Sequence, residues 1–336
     1  MKRILYLDII RIVACLMIIA MHAPIPNTGL NSYILSADSL MTASGIGLFI
    51  MVSGALILPV TMPTKQFLKK RFGKIVWPTL FWTLFYMLIY WYEIGFENIE
   101  LWHALLSIPF IPQFNGVLWF MYMLAGLYLL APILSSWIKQ SGRREIEFYL
   151  CLWGITLCYP LIRNFVGVIE GHTGILYYFG GYAGYFLLGY YLKNYLEKTK
   201  AWLNFLFLII PLAIAAVLKI QQIQVDFYDI FWYLSILVTM MAVAWFMLIK
   251  GITKQYNAKS QFHKGVVFVS NCCFGIYLVH IFIMRSIIWH WEPLLRMGVM
   301  QIVVVTLLTF IGSLAVSWLI SYLPWAEYFI GFRRKR

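Results

Sequence analysis

The chain has 336 residues, 62% of them hydrophobic and only 12% charged, with a mean hydropathy of +0.80. That composition excludes a soluble globular enzyme, a disordered chain and a disulfide-stapled secreted scaffold. A formal net charge of +13 would suit a nucleic-acid partner, but the placement of the basic residues gives it another origin.

Apolar runs long enough to cross about 30 Å of hydrocarbon recur along the whole chain. We place ten of them, at 4–24, 40–60, 76–95, 117–138, 147–166, 174–193, 202–220, 229–250, 266–289 and 298–323. The fifth contains Pro160, and the sixth is rich in Gly and Tyr. The expected fold is an all-α polytopic membrane protein, about ten transmembrane helices in a single bundle. One membrane domain would then occupy 1–336, with no separate soluble domain.

The first run, LYLDIIRIVACLMIIAMHAP after Met1-Lys2-Arg3, begins like a secretory signal. Asp8 and Arg11 interrupt its core, so it reads as a retained span. Asp8 and Arg11, three residues apart, share a helix face. The eleven residues from Arg11 to His22 bring His22 to within about 20° of that face, roughly 16 Å further along the axis. Ionisable groups inside a membrane are functional candidates by default. His22 alone would also suit an interfacial histidine at a helix end, just before Pro24 and Pro26.

Basic residues fall in alternate connections: Lys2 and Arg3, then 65–74, 139–144, 193–200, 250–264 and 333–336. The intervening connections are poor in them and carry Asp38, Glu93, Glu97, Glu170, Asp226 and Glu292. This asymmetry predicts cytoplasmic termini. It also accounts for the net charge without nucleic acid.

Ahead of the third run lies MPTKQFLKKRFGKIVWP. Thr64 is a candidate N-cap, and Phe67, Leu68 and Phe72 mark a basic amphipathic turn expected to lie along the membrane. Arg71 and Lys74 face one way, with Lys70 beside them. The positive end of the third helix would point at the same mouth, making an anion site suited to phosphates. Positive-inside bias with lipid headgroup contact would produce the same cluster.

Cys15, Cys151, Cys158, Cys272 and Cys273 all fall inside runs and read as packing residues. No metal-ligand spacing, GxGxxG, P-loop or HExxH motif is present.

Several of these stretches, in order, resemble the membrane-bound acyltransferase 3 family. Asp8-x-x-Arg11 with His22 is similar to its first-helix signature, and GLFIMVSGALIL with Ser53 and Gly54 to its second helix. Arg71-x-x-Lys74 with Pro78 resembles its cytoplasmic RxxR element. LWFMYMLAGLYLLAPIL from Leu118 to Leu134, YFLLGYYL, and FGIYLVH ending at His280 resemble its later landmarks. The second arginine of RxxR is Lys74 here, which keeps charge but loses the planar fork. Phe49-Ile50 stands where the family has two phenylalanines. It resembles the stand-alone members of that family, including the enterobacterial common-antigen O-acetyltransferase type.

The resemblance implies an O-acyltransferase of the bacterial inner membrane, most simply an O-acetyltransferase. It would move an acyl group from cytoplasmic acyl-CoA to a hydroxyl of a surface polysaccharide or its lipid-linked precursor. Acetyl-CoA would be a substrate, with no tightly bound cofactor and no metal. The other partners would be membrane lipid and the extracytoplasmic glycan, with no nucleic acid. His22 would act as base or acyl carrier, Arg11 and Asp8 as its charged neighbours, and Arg71, Lys74 and Lys70 as donor-phosphate contacts. Trp119, Tyr122, Tyr277, His280, Ser53 and Gly54 would wall the cavity. His280 also reads as a satisfied core histidine. A transporter of an acylated or polyprenyl-linked molecule is the alternative. The lack of matched, Gly/Pro-broken helices in the two halves speaks against it.

Overall fold

The computed structural model describes residues 3–24, 31–95, 100–110, 116–168, 179–253 and 261–334, with backbone alone for 31–39. Among these residues there is no strand. The main helices are α1 (Leu5–His22), α2 (Asn31–Ile57), α3 (Thr64–Ile94), α4 (Trp119–Gln140), α5 (Arg143–Thr156) and α6 (Tyr159–Val166). They continue with α7 (Ala183–Asn194), α8 (Ala201–Ile220), α9 (Ile236–Thr253), α10 (Gln261–Ser286), α11 (Met300–Ile320) and α12 (Ala326–Ile330). The protein is thus an all-α polytopic membrane protein.

Nine described segments are long and apolar enough to span a membrane, against ten expected. The difference is the sixth, which corresponds to α7. At 12 residues it is only about 18 Å long, short of the hydrocarbon core. The rest of that expected run, 174–178, lies outside the described residues. The fifth span is two helices, broken at Leu157 and Cys158. Pro160 lies in the first turn of α6, where its missing N–H costs nothing, and could not have continued α5.

The basic stretch before the third span differs more. No separate interfacial turn forms, because α3 runs unbroken for 31 residues from Thr64. Thr64 is the first helical residue rather than its cap, and Pro63 precedes it without a side-chain cap. Phe67 is buried against Tyr128 of α4, so the apolar side of these turns faces protein. The free N–H groups of α3 lie about 10 Å from Arg71 along the axis. The dipole's influence fades within the first turn, so it adds little at Arg71 and Lys74.

Two close crossings set the frame. At Gly54 of α2 a Cβ would lie 1.8 Å from the Phe186 carbonyl oxygen of α7. At Gly189 of α7 it would lie 1.9 Å from that of Met51. Only glycine at both places lets these backbones touch, the usual means of gaining van der Waals contact between helices in lipid. Helix α1 packs beside α10 in the same direction: Asp8 meets Ser270, Cys15 meets Cys273, and His22 meets His280.

The basic ends converge. Arg3 donates to Asn271 Oδ1 at 2.5 Å, Lys193 to the Ala55 carbonyl at 2.6 Å, and Lys250 to the Leu192 and Leu196 carbonyls. Trp82 Nε1 donates to the Phe329 carbonyl at 2.9 Å, holding α12 against α3. The chain then enters the same end as Arg3. Gly331, at φ 66°, fits between the Phe274 ring and the Lys74 carbonyl, where a Cβ would collide at 2.7 Å.

Candidate active site

Helix α1 presents its charged residues to α10, and there the buried Asp8 is the hub. It accepts from Ser270 Oγ at 2.6 Å and from Arg3 Nε at 3.2 Å, and pairs with Arg11 Nη1 at 3.9 Å. Arg11 also donates to Ser270 Oγ at 3.1 Å. A carboxylate this buried needs such partners. Together they fix the Arg11 guanidinium to one wall of a cavity.

That cavity measures about 270 Å³ and is lined by Arg11, Phe49, Ser53, Arg71, Lys74 and Tyr277 among others from α1, α2, α3, α4, α10 and the segment after α12. Three cations line it and no carboxylate does. Arg11 is held by Asp8 and Ser270, whereas Arg71 and Lys74 have no carboxylate partner among the described residues. Arg71 sits over the Phe67 ring at 5.9 Å. An unbalanced positive cavity between low-dielectric walls is suited to an anion.

One helix length away along α1, His22 faces His280 with ring centroids 5.5 Å apart. His280 is wholly buried, and its Nδ1 lies 2.5 Å from the Tyr277 carbonyl. A carbonyl only accepts, so Nδ1 carries the hydrogen. The lone pair is then on Nε2, which is buried with no partner. Two imidazoles with an unused ring nitrogen between apolar helices can hold or move a proton. Tyr277 stands between the two regions. Its ring lines the cavity, lies 5.6 Å from His280, and its hydroxyl donates to the Val117 carbonyl.

The sequence-derived candidates therefore divide. Arg11, Arg71, Lys74, Ser53 and Tyr277 share the cavity. Asp8 supports it from behind, and His22 and His280 form a pair beyond Tyr277. Lys70 is exposed and does not line the cavity. Gly54 is a packing residue at the α2–α7 crossing. Trp119 stacks on Tyr233 at 5.5 Å, and Tyr122 ties the Ile108 carbonyl at 2.6 Å; neither lines the cavity. Sequence reasoning missed Arg3, Ser270 and Asn271. The adjacent Ser270 and Asn271 in an otherwise apolar run were the available signal. The five cysteines are free, and no group of metal-ligating residues occurs among the described residues.

Comparison with known proteins gives one positive result. The family model described as an acyltransferase domain matches residues 4–322. No curated protein and no solved structure matches the chain.

Proposed function

Because the chain belongs to the acyltransferase 3 family and is a multi-pass membrane acyltransferase, we propose that it moves an acetyl group from cytoplasmic acetyl-CoA to a hydroxyl of an extracytoplasmic glycan or its lipid-linked precursor, in the bacterial inner membrane. The observation that carries this reading is the carboxylate-free cavity of Arg11, Arg71 and Lys74 at the basic end, one helix length from the His22–His280 pair. Positive-inside bias puts the basic end, with both termini, in the cytoplasm, where CoA is found. The phosphates of the donor would sit among the three cations, and the pantetheine arm would follow α1 past Tyr277.

At the far end His22 has two possible duties. As a base it takes the proton of the acceptor hydroxyl while that oxygen attacks the thioester carbonyl carbon. The C–S bond breaks, and the CoA thiolate leaves with the proton. As a carrier its nitrogen attacks the thioester carbonyl carbon, the C–S bond breaks and the CoA thiolate leaves. The sugar oxygen then attacks the acetyl carbon, the C–N bond breaks, and the hydroxyl proton passes to a neighbouring base and on to the thiolate. In both cases His280, with its lone pair on Nε2, is the neighbouring proton acceptor.

The test is transfer of label from radiolabelled acetyl-CoA by the purified protein in liposomes. His22→Gln should lower transfer by about 10²–10⁴-fold while acetyl-CoA binding persists. Near-normal transfer by His22→Gln would end the catalytic assignment.

A further inference from the structure

At the end of the bundle away from the basic mouth, the last turns of α3 and α10 line a second, smaller, half-open pocket of about 130 Å³, with Glu93 and Arg285 exposed at its rim. Tyr86, Tyr90, Glu93, Phe282, Arg285 and Ser286 line it. None of these residues belongs to the donor cavity or the histidine pair.

Arg285 is the unusual member. The other arginines of this end are matched: Arg163 with Asp229 at 2.5 Å and Arg296 with Glu292 at 3.0 Å. Arg285 has no carboxylate partner among the described residues and lies over the Trp289 ring at 5.5 Å. Glu93 shares the cavity with it, yet the two are not bridged. One wall therefore offers a planar fork of donors and the other a pair of acceptor oxygens. Tyr86 donates its hydroxyl to the Leu278 carbonyl at 2.7 Å, so what it offers the cavity is chiefly its ring.

An unbridged acid and arginine lining one pocket with aromatic side chains match the chemistry of a sugar ring. Neighbouring hydroxyls both donate and accept, and the C–H faces are apolar. A bare phosphate fits less well, because Glu93 would repel it. The volume, on the order of four waters, admits one edge of a monosaccharide rather than a chain. The position is also right. Ile281 and Phe282, which follow His280 directly, form part of the wall.

We propose that the Tyr86–Glu93–Arg285 cavity is the acceptor subsite, holding one sugar residue with Glu93 accepting from and Arg285 donating to adjacent hydroxyls. This rests on the acyltransferase reading above.

The experiment uses the full chain in nanodiscs of zwitterionic lipid, with soluble fragments of the host's own surface polysaccharide as probe. Capture of the fragments, transfer kinetics and acetyl-CoA binding are measured separately. Glu93→Gln and Arg285→Gln should each weaken capture and raise the acceptor KM by about ten-fold. Acetyl-CoA affinity should not move and kcat should stay within about two-fold. Unchanged capture and KM would overturn the subsite and leave the acyltransferase reading standing. Loss of capture on adding phosphatidylglycerol to the nanodiscs would make the cavity a headgroup site and also overturn it. A wild-type protein that captures fragments but transfers no label would instead refute the acyltransferase reading alone.

Discussion

Replacing Arg71 and Lys74 by alanine removes the two cations of the inner cavity that no carboxylate balances. Two unit charges 4 Å apart attract by about 4 kcal/mol at the effective dielectric of a partly open site. After desolvation, a charge-assisted contact to phosphate keeps about 1.5–3 kcal/mol. Arg71 is half-buried and backed by Phe67, so it belongs near the upper part of that range. Lys74 is exposed at the rim, so solvent screening puts it at the lower end or below. Arg71→Ala should therefore weaken acetyl-CoA binding by about ten-fold or more, Lys74→Ala by about three- to ten-fold, and the double variant by about 10²-fold. Arg71→Lys should fall between wild type and Arg71→Ala, since charge survives but the fork is lost. The assay is equilibrium binding of labelled acetyl-CoA to the protein in nanodiscs at low and high salt. Screening should weaken wild type more than the double variant. An unchanged dissociation constant in the double variant would return the cluster to positive-inside bias and remove the donor site.

Three further outcomes follow from the geometry. Asp8→Asn leaves Arg11 with Ser270 as its anchor; because Arg3 and Arg11 are partly exposed, we expect about 1–3 kcal/mol of lost stability, read as a lower melting temperature, together with weaker acetyl-CoA binding. Gly54→Ala forces α2 and α7 apart and should cost about 1–3 kcal/mol by overpacking, whereas Gly126→Ala, with open space around it, should change the melting temperature little. A reporter fused after Arg334 should be active only as a cytoplasmic fusion and one inserted between Gly95 and Glu100 only as an outward-facing one; the reverse pattern would overturn the placement of the donor mouth.

What the sequence by itself determined is the membrane class, most of the spans and the chemistry-bearing stripe of α1. Those are local properties: run length against bilayer thickness, and the 3.6-residue period that puts Asp8, Arg11 and His22 on one face. The alternation of basic connections was equally legible, since each contributes charge independently of the fold. The extent of α3 was not, because whether a basic amphipathic turn lies on the membrane or continues a helix depends on what covers Phe67. That cover is Tyr128, distant in the chain. Gly54 likewise read as part of a cavity motif, while its reason is the Phe186 carbonyl on a helix more than a hundred residues away. Asp8 found its partners on both sides of the legible range: Arg11 within its own helix, but Ser270 only once α1 lay parallel to α10. The same packing set His22 against His280 and brought Arg285 and Glu93 onto the lining of one pocket. Side-chain period tells which way a residue points from its own helix; which helix answers it is fixed by packing all of them at once around a common core.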